Sequence, residues 1–83
     1  MKKNYRQDAQ LLKRMAAEVE EKQAGVRSPF WRHVIRPRIE QNLSRADKAT
    51  VTRLRRLDST ELDAGGLAQR LRIMAAETLR VAG

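Results

Sequence analysis

A chain of 83 residues has room for one domain with a core of modest size. It contains no cysteine, which excludes a disulfide framework and a thiolate metal site, and its 4% aromatic content suits a helical bundle better than a β-sandwich. The formal net charge of +8 favours an anionic partner such as nucleic acid, an acidic protein surface or an anionic membrane.

The first predicted element is an amphipathic helix over Tyr5–Lys22. Its apolar positions, Leu12 and Val19 among them, recur at alternating steps of four and three residues. Gly25 follows at the place where a left-handed helix C-cap is expected. Residues 1–27 are therefore predicted to form an N-terminal helix that packs through Leu12 and Val19. It could complete a three-helix bundle in its own chain, but packing on a partner or on another subunit is preferred.

The second predicted element is one long helix over residues 29–57. Ser28 is a good capping residue, and proline suits the first helical position that follows it. Pro37 removes a backbone hydrogen bond, so a kink near residues 33–36 is expected. One face carries an apolar seam at steps of three or four residues: Trp31, Ile35, Ile39, Leu43, Ala46, Thr50, Leu54 and Leu57.

The third predicted element is an amphipathic helix over residues 65–81. The segment from Asp58 to Glu61 has the pattern of a capping box, but Gly65-Gly66 follows, so either one turn precedes a bend or the helix begins late. The predicted fold is all-α with two to three helices. In residues 28–83, a long, proline-kinked central helix is expected to form an αα-hairpin with the C-terminal helix.

The length of the central helix favours self-association. At 1.5 Å per residue it would extend about 45 Å, more than the C-terminal helix can cover. We therefore expect a homo-oligomer or a component of a larger assembly. The head of the seam supplies the predicted contact residues: Phe30, Trp31, Val34 and Ile35. Phe30 and Trp31 could instead stack on nucleic-acid bases, but their place on the seam favours a core or subunit interface.

A basic face runs beside this seam. Residues 28–57 contain eight basic and two acidic residues, a formal charge of +6. On a continuous helix Arg38, Arg45 and Arg56 fall within about 20° of one another, and Lys48 and Arg55 lie further round on the same side. Such a line, about 27 Å long, fits a phosphate backbone or an acidic protein groove. Without a base-reading set of side chains, contact with DNA should be independent of sequence.

The sequence offers no constellation for catalysis. His33 has no acidic residue within a helical turn, and Asp58, Glu61 and Asp63 lack the register of a calcium loop. We therefore expect no enzymatic activity, no metal, no cofactor and no small-molecule substrate. The charged N-terminal residues have no apolar run behind them, and no stretch has the length of a membrane span, so we expect neither a secretory signal nor membrane insertion.

The order Ser-Pro-Phe-Trp-Arg-His-Val-Ile-Arg-Pro-Arg-Ile-Glu at residues 28–40, then an apolar helix, an Asp/Gly-rich corner and a leucine helix, resembles small helical proteins of tailed bacteriophages. Those proteins are encoded among head-assembly and genome-packaging genes, and the resemblance covers residues 28–80. It implies a multi-copy, non-enzymatic virion or packaging component close to DNA or to portal and capsid subunits. The expected location is the bacterial cytoplasm or the virion.

Three functions remain open on this basis. The leading hypothesis is a small basic structural or assembly protein that contacts DNA phosphates or acidic partner surfaces. The second is a nucleic-acid-binding regulatory module that acts alone. The third is an adaptor or inhibitor that places one helix in a groove of a host protein.

Overall fold

The computed structural model describes residues 5–43 and 48–82, with side chains placed in residues 6–43 and 50–80. Within these ranges every regular element is helical, which confirms the predicted all-α class. The helices are α1 (Tyr5–Lys22), α2 (Arg36–Asn42), α3 (Lys48–Leu57) and α4 (Ala64–Ala82). A π-helical segment (Trp31–Ile35) runs directly into α2.

α1 and α4 form the most extensive helix pair of the fold. Val26, just beyond α1, donates its N–H to the Leu62 carbonyl just before α4 (3.0 Å), so the two helices run antiparallel. An ion pair between Arg72 and Glu20 joins their exposed edges, and its hydrogen bond holds the pKa of the Glu20 carboxyl below the usual value. α1 therefore packs against α4 of its own chain, and the expectation that α1 packs on a partner or on another subunit is wrong.

α1 ends in a Schellman motif built on Gln23 and not on Gly25. Gln23 has a φ of 50°, and its N–H and that of Ala24 donate to carbonyls three and five residues back, at 3.2 and 3.0 Å. Gly25 has a different role, because a Cβ added there would lie 3.1 Å from the Leu62 carbonyl oxygen. The C-cap predicted at Gly25 is thus wrong, and this glycine permits close backbone approach to the segment before α4.

We expect Gln23→Gly to stabilise the fold by about 0.5–1 kcal/mol. A residue with a side chain is disfavoured in the left-handed region, while glycine adopts it freely; the greater entropy of glycine in the unfolded chain offsets part of the gain. Chemical denaturation would measure the change. Gln10→Gly, at an exposed position inside α1, is the matched control and should cost about 1 kcal/mol. A loss of stability in Gln23→Gly would contradict the assignment.

The predicted continuous helix over residues 29–57 is wrong. α2 ends at Asn42, Leu43 has an extended backbone (φ −71°, ψ 149°), and α3 begins at Lys48. A helix of that length would exceed the bundle, whose longest Cα extent is 34 Å. Ending α2 at this point allows Leu54 and Leu57 to join the same core as the residues of α1 and α4.

The turn before Pro37 is widened, and the predicted proline kink is not confirmed. The Arg36 N–H donates to the carbonyl of Trp31, five residues back, which is the π-helical pattern. Proline has no N–H and its ring crowds the preceding turn, so the wider turn relieves that crowding. Trp31 and Ile35, at the two ends of this segment, are both fully buried.

α3 and α4 do not form the close hairpin predicted for the central and C-terminal helices. α4 packs mainly on α1, and the α3 backbone stands farther from its neighbours. Arg53 in the middle of α3 pairs with Glu77 in the second half of α4, whereas Leu57 at the end of α3 shares a groove with Arg70 in the first half of α4, so the two helices are antiparallel. This wider spacing leaves a groove between α3 and α4.

α4 begins late, at Ala64. Its cap is Asp63, whose Oδ1 accepts a hydrogen bond from the Gly66 N–H at 2.8 Å, so the capping box at Asp58 to Glu61 does not start the helix. The connection of residues 58–63 is left free to contact other elements.

Candidate nucleic-acid interface

A polar cluster of Trp31, Asp58 and Arg36 fixes the end of α3. The buried Trp31 donates its Nε1–H to Asp58 Oδ1 at 3.0 Å, and the Arg36 guanidinium pairs with the same carboxylate. The Arg36 and Asp58 side chains are only 25% and 28% exposed, so water screens this pair less than a surface pair. Asp58 directly follows α3, and the cluster therefore holds this end of α3 against the segment leading into α2.

Four of the six residues predicted to contact a partner lie in the core of the single chain. Leu12, Val19, Trp31 and Ile35 are fully buried, because α1, α3 and α4 close over the seam. Phe30 and Val34 are half-buried. In this fold a partner can therefore reach only Phe30 and Val34 among the six. The four buried residues stabilise the core of the single chain.

The straight line of arginines predicted on one long helix is not formed, because α2 and α3 are separate. Arg38 Nη1 lies 3.5 Å from Glu18, and Arg55 Nε lies 3.1 Å from Glu40. Arg45 lies outside the described residues. Lys48 is the first residue of α3, but its side chain lies outside the described ones.

Arg56, the remaining predicted residue, lies in a basic groove between α3 and α4. The groove has a volume of about 230 Å³ and includes two further arginines, Arg53 and Arg70. Its apolar lining comes from Leu57, Met74 and Ile73, which is 43% exposed. Glu77 is the one carboxylate among the lining residues and pairs with Arg53. Three arginines and one carboxylate thus line the groove, which gives its lining a formal charge of +2.

Ion pairing elsewhere leaves this groove with unneutralised charge. Within residues 6–43 and 50–80 most carboxylates are already engaged: Glu18, Glu20, Glu40, Asp58, Glu61 and Glu77 pair with arginines and Asp63 caps α4. No carboxylate in those ranges forms a salt bridge with Arg56 or Arg70. No described carboxylate therefore neutralises these two guanidinium groups, which favours their binding to an anion from outside the chain.

A second groove, of about 410 Å³, lies between α1 and α2, and its lining has the same formal charge of +2 spread over a larger volume. It contains Arg14 and Arg38 together with amide side chains, and Arg38 already faces Glu18. The α3–α4 groove therefore has the higher density of available positive charge.

Arg53 and Arg70 are not among the binding residues predicted from the sequence. Arg70 belongs to a segment, residues 58–83, whose net charge is −1, and that average concealed it. A usable signal is present, since Arg70, Ile73 and Glu77 recur at helical steps and place Ile73 away from the apolar face of Leu67, Leu71 and Met74.

The structure was also searched for a metal site and for a membrane-spanning helix, and the chain was compared with known proteins. In the part of the chain that the structure describes, no three side chains are grouped to hold a metal ion, and no helix combines the length and apolar character of a membrane span. Comparison with known protein families, characterised proteins and solved structures gave no match to this chain.

Proposed function

We propose that the protein binds nucleic acid through the α3–α4 groove and contacts phosphates rather than bases. The observation that carries the proposal is that Arg53, Arg56 and Arg70 line one groove together with a single carboxylate, Glu77. Guanidinium groups form forked, charge-assisted hydrogen bonds with phosphate oxygens. The lining of the groove contains no asparagine, glutamine or aromatic residue, so base reading and base stacking have no support there.

The proposed biological role is that of a small non-enzymatic structural or assembly protein. Sequence-independent phosphate binding by a chain of net charge +8 fits a multi-copy packaging or head component, and the resemblance of residues 28–80 to tailed-phage proteins supports that role. The apolar seam is covered within the single chain, so it no longer supports self-association. If copies do associate, Ile73 and Leu79, which are 43% and 37% exposed, are the most exposed large apolar side chains among the described residues.

An acidic helix of a partner protein is the second candidate ligand of the groove. The apolar side chains of Leu57, Ile73 and Met74 between the arginines favour it, because an amphipathic helix would place apolar residues on them and carboxylates against the guanidinium groups. Two of the three arginines in the groove form no salt bridge with a described carboxylate, which favours a ligand as densely charged as a phosphate backbone, so nucleic acid is the preferred ligand.

Binding to two unrelated DNA duplexes of equal length, followed by fluorescence anisotropy, tests the proposal. We expect equal affinity for the two duplexes and a steep loss of affinity as salt rises, because counterion release supplies the free energy. A strong preference for one duplex would instead support the regulatory module. The absence of binding at low salt would refute the nucleic-acid proposal and leave the acidic helix as the ligand to be tested.

A further inference from the structure

We propose that Glu77 competes with phosphate for Arg53 and thereby sets the affinity of the groove for nucleic acid. This inference rests on the proposed function of the groove. The Glu77 carboxylate is an internal anion, held by Arg53 within the site where the phosphate would bind.

The ion pair crosses the groove from one wall to the other. Arg53 belongs to α3 and Glu77 to α4, and both line the groove. The other ion pairs of the described residues do not join two residues of this groove; Arg72–Glu20 and Arg55–Glu40, for example, connect α1 with α4 and α2 with α3. Glu77 is therefore the carboxylate whose pairing can be exchanged for a phosphate in this site.

The exchange is favoured by the exposure of the pair. The Arg53 and Glu77 side chains are 50% and 37% exposed, and ion pairs that reach water contribute little to folding. A phosphate that approaches Arg56 and Arg70 can thus displace Glu77 from Arg53 without disrupting the bundle. The displaced carboxylate returns to water and repels the incoming strand, which limits affinity.

The position of Glu77 on α4 strengthens the argument. Arg70, Ile73, Glu77 and Arg80 follow one another at steps of three, four and three residues, which places them along one side of the helix. Glu77 is the one acidic member of a row that has an arginine at each end. A neutral side chain of the same shape at this position would leave the row with two arginines and no acidic residue.

Glu77→Gln should raise affinity for a DNA duplex by about two- to fivefold at constant salt, the factor that corresponds to removing one exposed competing pair. Glutamine keeps the length and helix propensity of glutamate, so the fold should be retained, as circular dichroism would check. Glu20→Gln is the matched control, since it removes the same charge from a pair outside the groove.

A double variant separates competition from general charge. When Arg53→Gln/Glu77→Gln is compared with Arg53→Gln alone, the gain in DNA affinity should disappear, because no guanidinium remains at that place for the phosphate. The double-mutant cycle should therefore show coupling between the two positions. An equal gain in Glu20→Gln, or a gain that persists in the double variant, would overturn the inference. Binding by the wild-type chain with no gain in Glu77→Gln would overturn it alone, whereas no binding by either protein would overturn the proposed function too.

Discussion

Trp31→Ala should destabilise the protein by about 3–5 kcal/mol, which corresponds to a fall in melting temperature of about 12 °C or more for a domain of this size. Trp31 is the first residue of the π-helical segment and is fully buried in the core. Its indole N–H donates a hydrogen bond to Asp58. The substitution removes a large apolar side chain and also leaves the Asp58 carboxylate without one of its partners. Thermal unfolding followed by far-ultraviolet circular dichroism measures the effect.

Phe30→Ala is the matched control for this prediction. Phe30 is the adjacent aromatic residue but is only half-buried, so its truncation should cost clearly less than that of Trp31. If Trp31 acted instead as a platform for bases, Trp31→Ala would melt close to the wild type and lose only single-strand affinity. That result would contradict the core position of Trp31.

Asp58→Ala should cost about 2–4 kcal/mol, the second largest effect we expect. It leaves the buried Trp31 N–H without an acceptor and the partly buried Arg36 guanidinium without its counter-charge. Arg36 Nε already lacks a hydrogen-bond partner among the described residues, so the site has little further capacity to compensate. Asp58→Asn should have an intermediate effect, because it keeps an acceptor for Trp31 and loses the charge. Denaturant unfolding gives both values.

Glu61→Ala provides the comparison within the same loop. Glu61 pairs with Arg27, but both side chains are more than 70% exposed, at 77% and 73%, so its removal should change stability by less than about 1 kcal/mol. Similar costs for Asp58→Ala and Glu61→Ala would show that the Trp31–Asp58–Arg36 cluster does not hold the loop. Arg56 lies two residues before Asp58, so a loosened cluster should also weaken anion binding at the groove.

The helices with strong periodic patterns were predictable from the sequence. α1 was predicted over Tyr5–Lys22 and is found there, and α4 was predicted to within one residue at each end. The end of α2 was not predictable from the seam, because Leu43 and Thr50 are seven residues apart and keep the same helical phase on either side of the break. Periodicity records which side of a helix is apolar, but it does not record where a helix stops.

The other differences between the predicted and the observed structure arise from tertiary contacts. Asp58 has the local pattern of a helix cap, yet its partners Trp31 and Arg36 are distant in sequence. The basic groove combines Arg53 and Arg56 of α3 with Arg70 of α4, and only the folded chain brings them together. A basic surface near Arg56 was therefore predictable, but its geometry was not.

The salt dependence of duplex binding by Arg56→Gln/Arg70→Gln tests the central proposal most directly. Both arginines are exposed and belong to no ion pair of the described residues, so the variant should stay within about 0.5 kcal/mol of the wild type per substitution. Each lost phosphate contact removes about 0.9 from the slope of log affinity against log salt, and the variant should flatten that slope by about 1.8. Arg6→Gln/Arg14→Gln removes the same charge from α1 and should change the slope far less. Equal slopes for the two double variants, or an unchanged slope in the groove variant, would contradict phosphate binding at the α3–α4 groove.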